Sequence, residues 1–104
     1  MTEIYTVGIW TVKADLEEEF VAAWRALGEA TIAEFPAAHG RLLHDVDHPG
    51  RFVSFGPWES HETIDAWRAS ASFQEGVARM RELLDAFEPG TYELSAKVSA
   101  NDSQ

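Results

Sequence analysis

Four histidines and no cysteine define the proton-moving chemistry open to this 104-residue chain. Imidazole is the side chain whose unperturbed titration, near about 6.5, lets it accept or release a proton at neutral pH. His44 stands in a run of strand-forming residues and alternates in phase with Leu42 and Val46, which makes it the histidine best placed to be a general base. His39 beside Gly40, His48 in a Pro-Gly turn and His61 at a helix start are read as solvated. His44, Asp45, Asp47 and His48 are close in sequence, but alternation sends 44 and 45 to opposite faces. They lack regular ligand spacing, so no metal is assigned. The missing thiol excludes disulfides, thiolate zinc, iron–sulfur clusters and a Cys nucleophile. No G-x-S-x-G, Gly-rich phosphate loop or H-E-x-x-H occurs, so hydrolytic and nucleotide-dependent chemistry have no foothold. Tyr92 could donate a hydrogen bond to a substrate oxygen, but it leads an apolar alternation and is read as a core residue. Arg68 and Arg79 are read as surface partners for the many carboxylates.

Such residues need elements to position them. Ile4 to Val12 is dense in β-branched and aromatic residues, with Tyr5, Val7 and Ile9 on one face and Ile4, Trp10 and Val12 on the other, a strand covered on both sides. Asp15 with Glu18 reads as a capping box. Behind it Leu16, Phe20, Ala23, Trp24, Leu27 and Thr31 draw an apolar stripe down a helix that ends near Glu34, before Pro36. Arg41–Val46 and Arg51–Phe55 flank Asp47-His48-Pro49-Gly50 and read as a hairpin. Ser60 caps a short helix burying Ile64 and Trp67, and Ser72 with Glu75 opens another carrying Phe73, Val77, Met80, Leu84 and Phe87 inward. Pro89-Gly90 should end it, and Thr91–Val98 alternates as a last strand.

The order is β-α-β-β-α-β: an α+β, ferredoxin-like chain with two helical regions on one face of a four-stranded antiparallel sheet. It forms a single domain, residues 1–98, with a polar tail, 99–104. Tyr5, Val7 and Ile9 have no further helix to meet, so a second copy packed sheet to sheet is expected to bury them. The charge of −10, from 8 Lys+Arg against 18 Asp+Glu, argues against nucleic acid and against an anionic membrane surface. No apolar run reaches the roughly 18 residues of a membrane span, and the start lacks a secretory pattern, so a cytoplasmic location is expected.

Phe52-Val53-Ser54-Phe55-Gly56-Pro57-Trp58-Glu59-Ser60, then Ile64-Asp65-Ala66-Trp67-Arg68 and Ser70-Ala71-Ser72-Phe73, resembles the antibiotic-biosynthesis monooxygenase family of dimeric α/β barrel proteins. The shared pattern is an aromatic third strand ending in Trp, a second Trp one short helix later, and S-x-x-F before the next helix. The resemblance implies a homodimer of ferredoxin-like subunits with a pocket between sheet and helices. The activities it implies are oxidation of phenols and quinols by molecular oxygen without metal or flavin, and haem breakdown. The haem-degrading branch uses an Asn on the first strand, a Trp ending the third and a His in the last helix. Trp58 matches, but the other two positions fall at Gly8 and Val77. No cofactor is therefore expected.

If Trp58 points toward the helices, as the resemblance implies, then Phe52, Ser54 and Gly56 share its face, opposite Thr6, Gly8 and Trp10. Small residues at Gly8, Ser54 and Gly56 beside Trp10, Trp58 and Trp67, with Phe73, would leave a flat aromatic-walled cavity for a planar substrate. Alternatively the glycines mark bulges or close helix approach and the indoles fill the core. Cofactor-free oxygenation needs a base, donors for the resulting oxyanion and exclusion of water. The functional expectation is a monooxygenase acting on a small aromatic hydroxyl compound with molecular oxygen, with His44 as base. A non-catalytic binding protein on the same scaffold is the alternative.

Overall fold

The computed structural model describes residues 3–100. Its elements are β1 (Ile4–Val12), α1 (Glu17–Glu34), β2 (Arg41–His44), β3 (Arg51–Trp58), α2 (His61–Ala69), α3 (Ala71–Arg81) and β4 (Leu84–Glu93). The strands form one antiparallel sheet in the order β2-β3-β1-β4, with β1 and β3 central and β2 and β4 at the edges. This is the ferredoxin-like arrangement, the second helical region being broken into α2 and α3.

Alternation along β1 divides the sheet into two surfaces. Ile4, Gly8, Trp10 and Val12 are buried toward the helices, whereas Tyr5, Val7 and Ile9 are half-buried on the open face. Phe20 of α1 and Met80 of α3 have no exposed surface and share one buried core with Trp10, Phe52 and Val77. Burial of such side chains contributes about 1.5–3 kcal/mol each, and that packing holds the helices over the sheet. The α1–α3 contact is close because Gly76 faces Leu27: a Cβ there would lie 2.8 Å from Leu27 Cδ1.

Helix ends depart from the sequence reading in two places. Asp15 does not cap α1; it adopts φ 72°, a left-handed geometry that Asp tolerates better than most residues, and closes a turn before Leu16. No side chain caps α1, whose first turn instead carries Glu17, Glu18 and Glu19 against the positive end of the dipole. Ser70, not Ser72, opens α3. Its Oγ accepts from Phe73 N–H at 3.2 Å and donates to Trp67 carbonyl oxygen at 2.6 Å, so one residue ends α2 and starts α3. Ser72 donates to Glu34 Oε1 at 2.9 Å, tying α3 to the end of α1. Ser60 caps α2 as expected, accepting from Thr63 N–H at 3.1 Å.

The larger correction concerns the end of the chain. Leu84 and Phe87 are not helical: α3 stops at Arg81, and β4 runs from Leu84 through Pro89-Gly90 to Glu93. Val12 pairs with Leu84, Thr11 with Ala86 and Trp10 with Phe87, so Asp85 is an extra residue in β4, a bulge. The bulge gives the inward residues Leu84 and Phe87 a spacing of three, which imitates helical periodicity. Pro89 is tolerated because β4 is an edge strand. Tyr92 pairs with Tyr5 on the open face and is 55% exposed, so it is not a core residue. Residues 94–98, read as strand, have no regular structure, and of the expected polar tail residues 101–104 lie outside the described residues.

Candidate active site

Between the sheet and the helices lies a cavity of about 260 Å³ whose wall is mostly apolar. Gly8, Trp10, Ser54, Trp58, Trp67 and Phe73, the six binding positions read from the sequence, all line it. The strands supply Gly8 and Trp10 from β1 and Ser54 and Trp58 from β3, in a register that sets Gly8 opposite Ser54. Trp67 comes from the inner side of α2 and Phe73 from the first turn of α3.

The indoles are fixed in place by hydroxyl groups. Trp10 Nε1 donates to Ser54 Oγ at 2.9 Å, Trp58 Nε1 to Thr6 Oγ1 at 3.0 Å, and Trp67 Nε1 to Thr31 Oγ1 at 2.9 Å. Thr31 passes its own hydrogen to the Leu27 carbonyl at 2.8 Å. Ring contacts complete the wall: Trp58 lies 4.8 Å from Trp67, Trp67 stands edge-on to Phe73 at 4.6 Å, and Trp10 stacks on Phe87 at 3.9 Å. The indole N–H groups of Trp10, Trp58 and Trp67 are thus satisfied, and these three rings are each held at one angle; Trp24 of α1 also lines the cavity. Among the described residues, no protein acceptor takes the hydroxyl hydrogens of Thr6 and Ser54, which leaves two donors on the cavity wall.

The glycines behave in two ways. At Gly8 a Cβ would lie 2.9 Å from Ser54 Oγ and 3.0 Å from Trp10 Nε1, so the bare backbone makes room for that hydrogen bond. At Gly56 a Cβ would run into the His39 carbonyl oxygen and lie 3.1 Å from Gly40 Cα. Gly56 therefore admits the segment leading into β2, a close backbone approach and not a gap left for ligand.

His44 does not line this cavity. It sits on edge strand β2, exposed, in a neighbouring groove with Glu17 and Glu18 from the start of α1. Its Nε2–H donates to the Pro49 carbonyl at 2.6 Å and its ring stacks on Phe52 at 4.4 Å, so it clasps the β2–β3 loop. The histidine on the cavity wall is His39, exposed as the sequence reading had it, in the irregular segment before β2, where no periodicity could mark it as a cavity residue. Arg68, read as a partner for carboxylates, is half-buried on the same wall and donates to Thr91 Oγ1 at 2.8 Å and Gly90 carbonyl at 3.3 Å. It fastens α2 to β4. Two titratable groups away from the cavity are displaced from their ordinary values. The Glu3 carboxylate, bonded to its hydroxyl, raises Tyr5, and the Asp47 backbone N–H holds Asp45 below the usual carboxylate range. Among the described residues, no three His, Cys, Asp or Glu side chains group as a metal would require.

The family model for antibiotic biosynthesis monooxygenase matches residues 4–79. The chain belongs to that family. Solved structures agree in fold. A conserved protein from Methanosarcina mazei Go1 superposes with a TM-score of 0.79 at 23% identity, covering 88% of this chain and 92% of that one. SnoaB, a cofactor-independent oxygenase from Streptomyces nogalater, gives 0.79 at 22% identity, with 96% and 98% covered. A putative antibiotic biosynthesis monooxygenase from Nitrosomonas europaea gives 0.76 at 23%, with 86% and 88% covered. No curated protein matches the chain. Within the family, the residues here do not fit the haem-degrading arrangement. Val77 is buried in the core and offers no iron ligand, and an Asn at Gly8 would collide with Ser54 and Trp10. Among the described residues no helix is long and apolar enough to cross a membrane.

Proposed function

We propose that this protein is a cofactor-independent monooxygenase that oxidises a small planar phenol with molecular oxygen in the cavity between Trp58, Trp67 and Trp10. The observation that carries the reading is a cavity walled by three clamped indoles with two hydroxyl donors to spare, from Thr6 and Ser54. The family membership and the likeness in fold to SnoaB support the same chemistry. Removing the phenolic proton raises the electron density of the ring and eases electron transfer to oxygen. His39 takes that proton, and the Thr6 and Ser54 hydroxyls hold the phenolate oxygen. The ring carbon para to the hydroxyl then gains one oxygen atom, the other leaves as water, and the four electrons oxygen requires come from the phenol, which becomes a quinone. The apolar walls keep bulk water from the charged intermediate.

1-Naphthol tests this directly. One oxygen molecule should disappear for each 1,4-naphthoquinone formed, and His39→Ala should slow turnover by about tenfold or more, the lower range for a lost general base. His44→Ala, in contrast, should keep turnover within about twofold, because its imidazole serves the β2–β3 loop and surface changes of this kind are small. Binding of naphthol without oxygen uptake would establish the non-catalytic binding role in place of catalysis.

The active form is a homodimer. Tyr5, Val7 and Ile9 of β1 and Val53 and Phe55 of β3 are only half-buried on the open face, and Leu43 of β2 is 52% exposed beside them. A sheet surface this apolar is stably covered by an identical surface across a two-fold axis. Val7→Asp places a charge at its centre and should convert the dimer to monomer in sedimentation velocity. A wild type that sediments as a monomer would refute the pairing.

A further inference from the structure

Gly28 lies in the interior of the 18-residue helix α1, where glycine is about 1 kcal/mol worse than alanine, in a stretch otherwise rich in alanine. No backbone geometry calls for it, since no glycine has positive φ. Nor does crowding. The other glycines all have an atom within 4 Å of where a Cβ would stand, whereas a Cβ at Gly28 meets nothing. Gly28 is half-buried and lines the cavity. Its helical neighbours Arg25, Glu29 and Ile32 line the same cavity and are exposed, so Gly28 stands where the cavity opens to water.

We infer that Gly28 is the specificity-determining residue that sets how far a bound ring system can extend under α1. The inference rests on the reading of the cavity as a site for planar aromatics. An apolar cavity of about 150 Å³ takes one benzene ring, so the volume of about 260 Å³ here seats two fused rings. A third ring must reach the mouth, and the space it needs is the space a side chain at position 28 would fill. The helix gives up stability at this position, and the open mouth is what it gains.

The test compares wild type with Gly28→Ala and Gly28→Leu, using quenching of tryptophan fluorescence to measure affinity for phenol, 1-naphthol and 1-hydroxyanthraquinone. Gly28→Ala should raise the melting temperature by about 4 °C, since the methyl group meets open space and helix propensity improves. A lowered melting temperature would show the position to be crowded and overturn the inference. In Gly28→Leu the ratio of 1-hydroxyanthraquinone affinity to phenol affinity should fall about tenfold or more, the cost of overfilling a packed site. An unchanged ratio in a folded Leu variant, with wild type binding all three, would overturn the role of Gly28 and leave the cavity reading intact. Failure of wild type to bind any of the three would overturn both.

Discussion

A Phe20→Ala variant is expected to lose about 4 kcal/mol of stability, a large share of the roughly 5–15 kcal/mol that holds together a domain of this size. Phe20 has no exposed surface, and its ring lies 5.3 Å from Trp10 and 5.1 Å from Phe52. It is the point at which α1 meets the two central strands, so truncation leaves a void bounded by sheet on one side and helix on the other. Neither can collapse into the void without moving Trp10, which the Ser54 hydroxyl and the Phe87 ring already hold. Urea unfolding at fixed protein concentration measures the loss, and Phe20→Leu should recover more than half of it. A loss below about 1.5 kcal/mol would mean that the core repacks freely, contrary to the close packing expected of protein interiors.

The second large effect concerns rate. Replacing both cavity hydroxyls, with Thr6→Val and Ser54→Ala together, should lower kcat/KM for 1-naphthol by about 100-fold, the scale of losing a preorganised donor to a developing oxyanion. Those hydroxyls also accept from Trp58 and Trp10, so a loosened wall is a competing cause. Thr31→Val separates the two. It frees the Trp67 indole in the same way but removes no hydrogen that is free to reach a substrate, because the Thr31 hydroxyl donates to Leu27. The Thr31 variant should fall by less than about tenfold. Equal losses in both variants would assign the effect to wall rigidity and remove the hydroxyls from the chemistry. Thr6→Ser, which keeps the oxygen, should restore most of the activity to a chain otherwise lacking the threonine.

The contrast between what could and could not be read beforehand follows from which properties are local. Alternation groups Trp10, Ser54 and Trp58 by strand face, but which face meets the helices came from the family resemblance, and whether a cavity or a filled core lies there is settled only by the structure. For His44, alternation names a face but not a position across the sheet. Strand order puts β2 at the edge, away from the paired strands that floor the cavity. His39 carried no signal, being in an irregular segment held against Gly56. The end of α3 was missed because the Asp85 bulge restores inward orientation after three residues, not two. Competition between Ser70 and Ser72 turned on a contact with the Trp67 carbonyl that no local motif contains. The hydroxyl partners of the indoles had a faint signature, since a buried Trp needs an acceptor and Thr6 and Ser54 alternate in phase with Trp58 and Trp10.

The pairing of three of the four cavity indoles with protein hydroxyls has a further consequence for the compounds the proposed site would accept. With their N–H groups already spent, Trp10, Trp58 and Trp67 would present only π surface to a guest, which leaves polar recognition to the Thr6 and Ser54 hydroxyls and to Trp24, the fourth indole on the wall. Away from the Thr6 and Ser54 hydroxyls, discrimination would rest on outline and thickness, so phenols that differ only in ring substituents remote from the hydroxyl should compete for the same site with similar affinity.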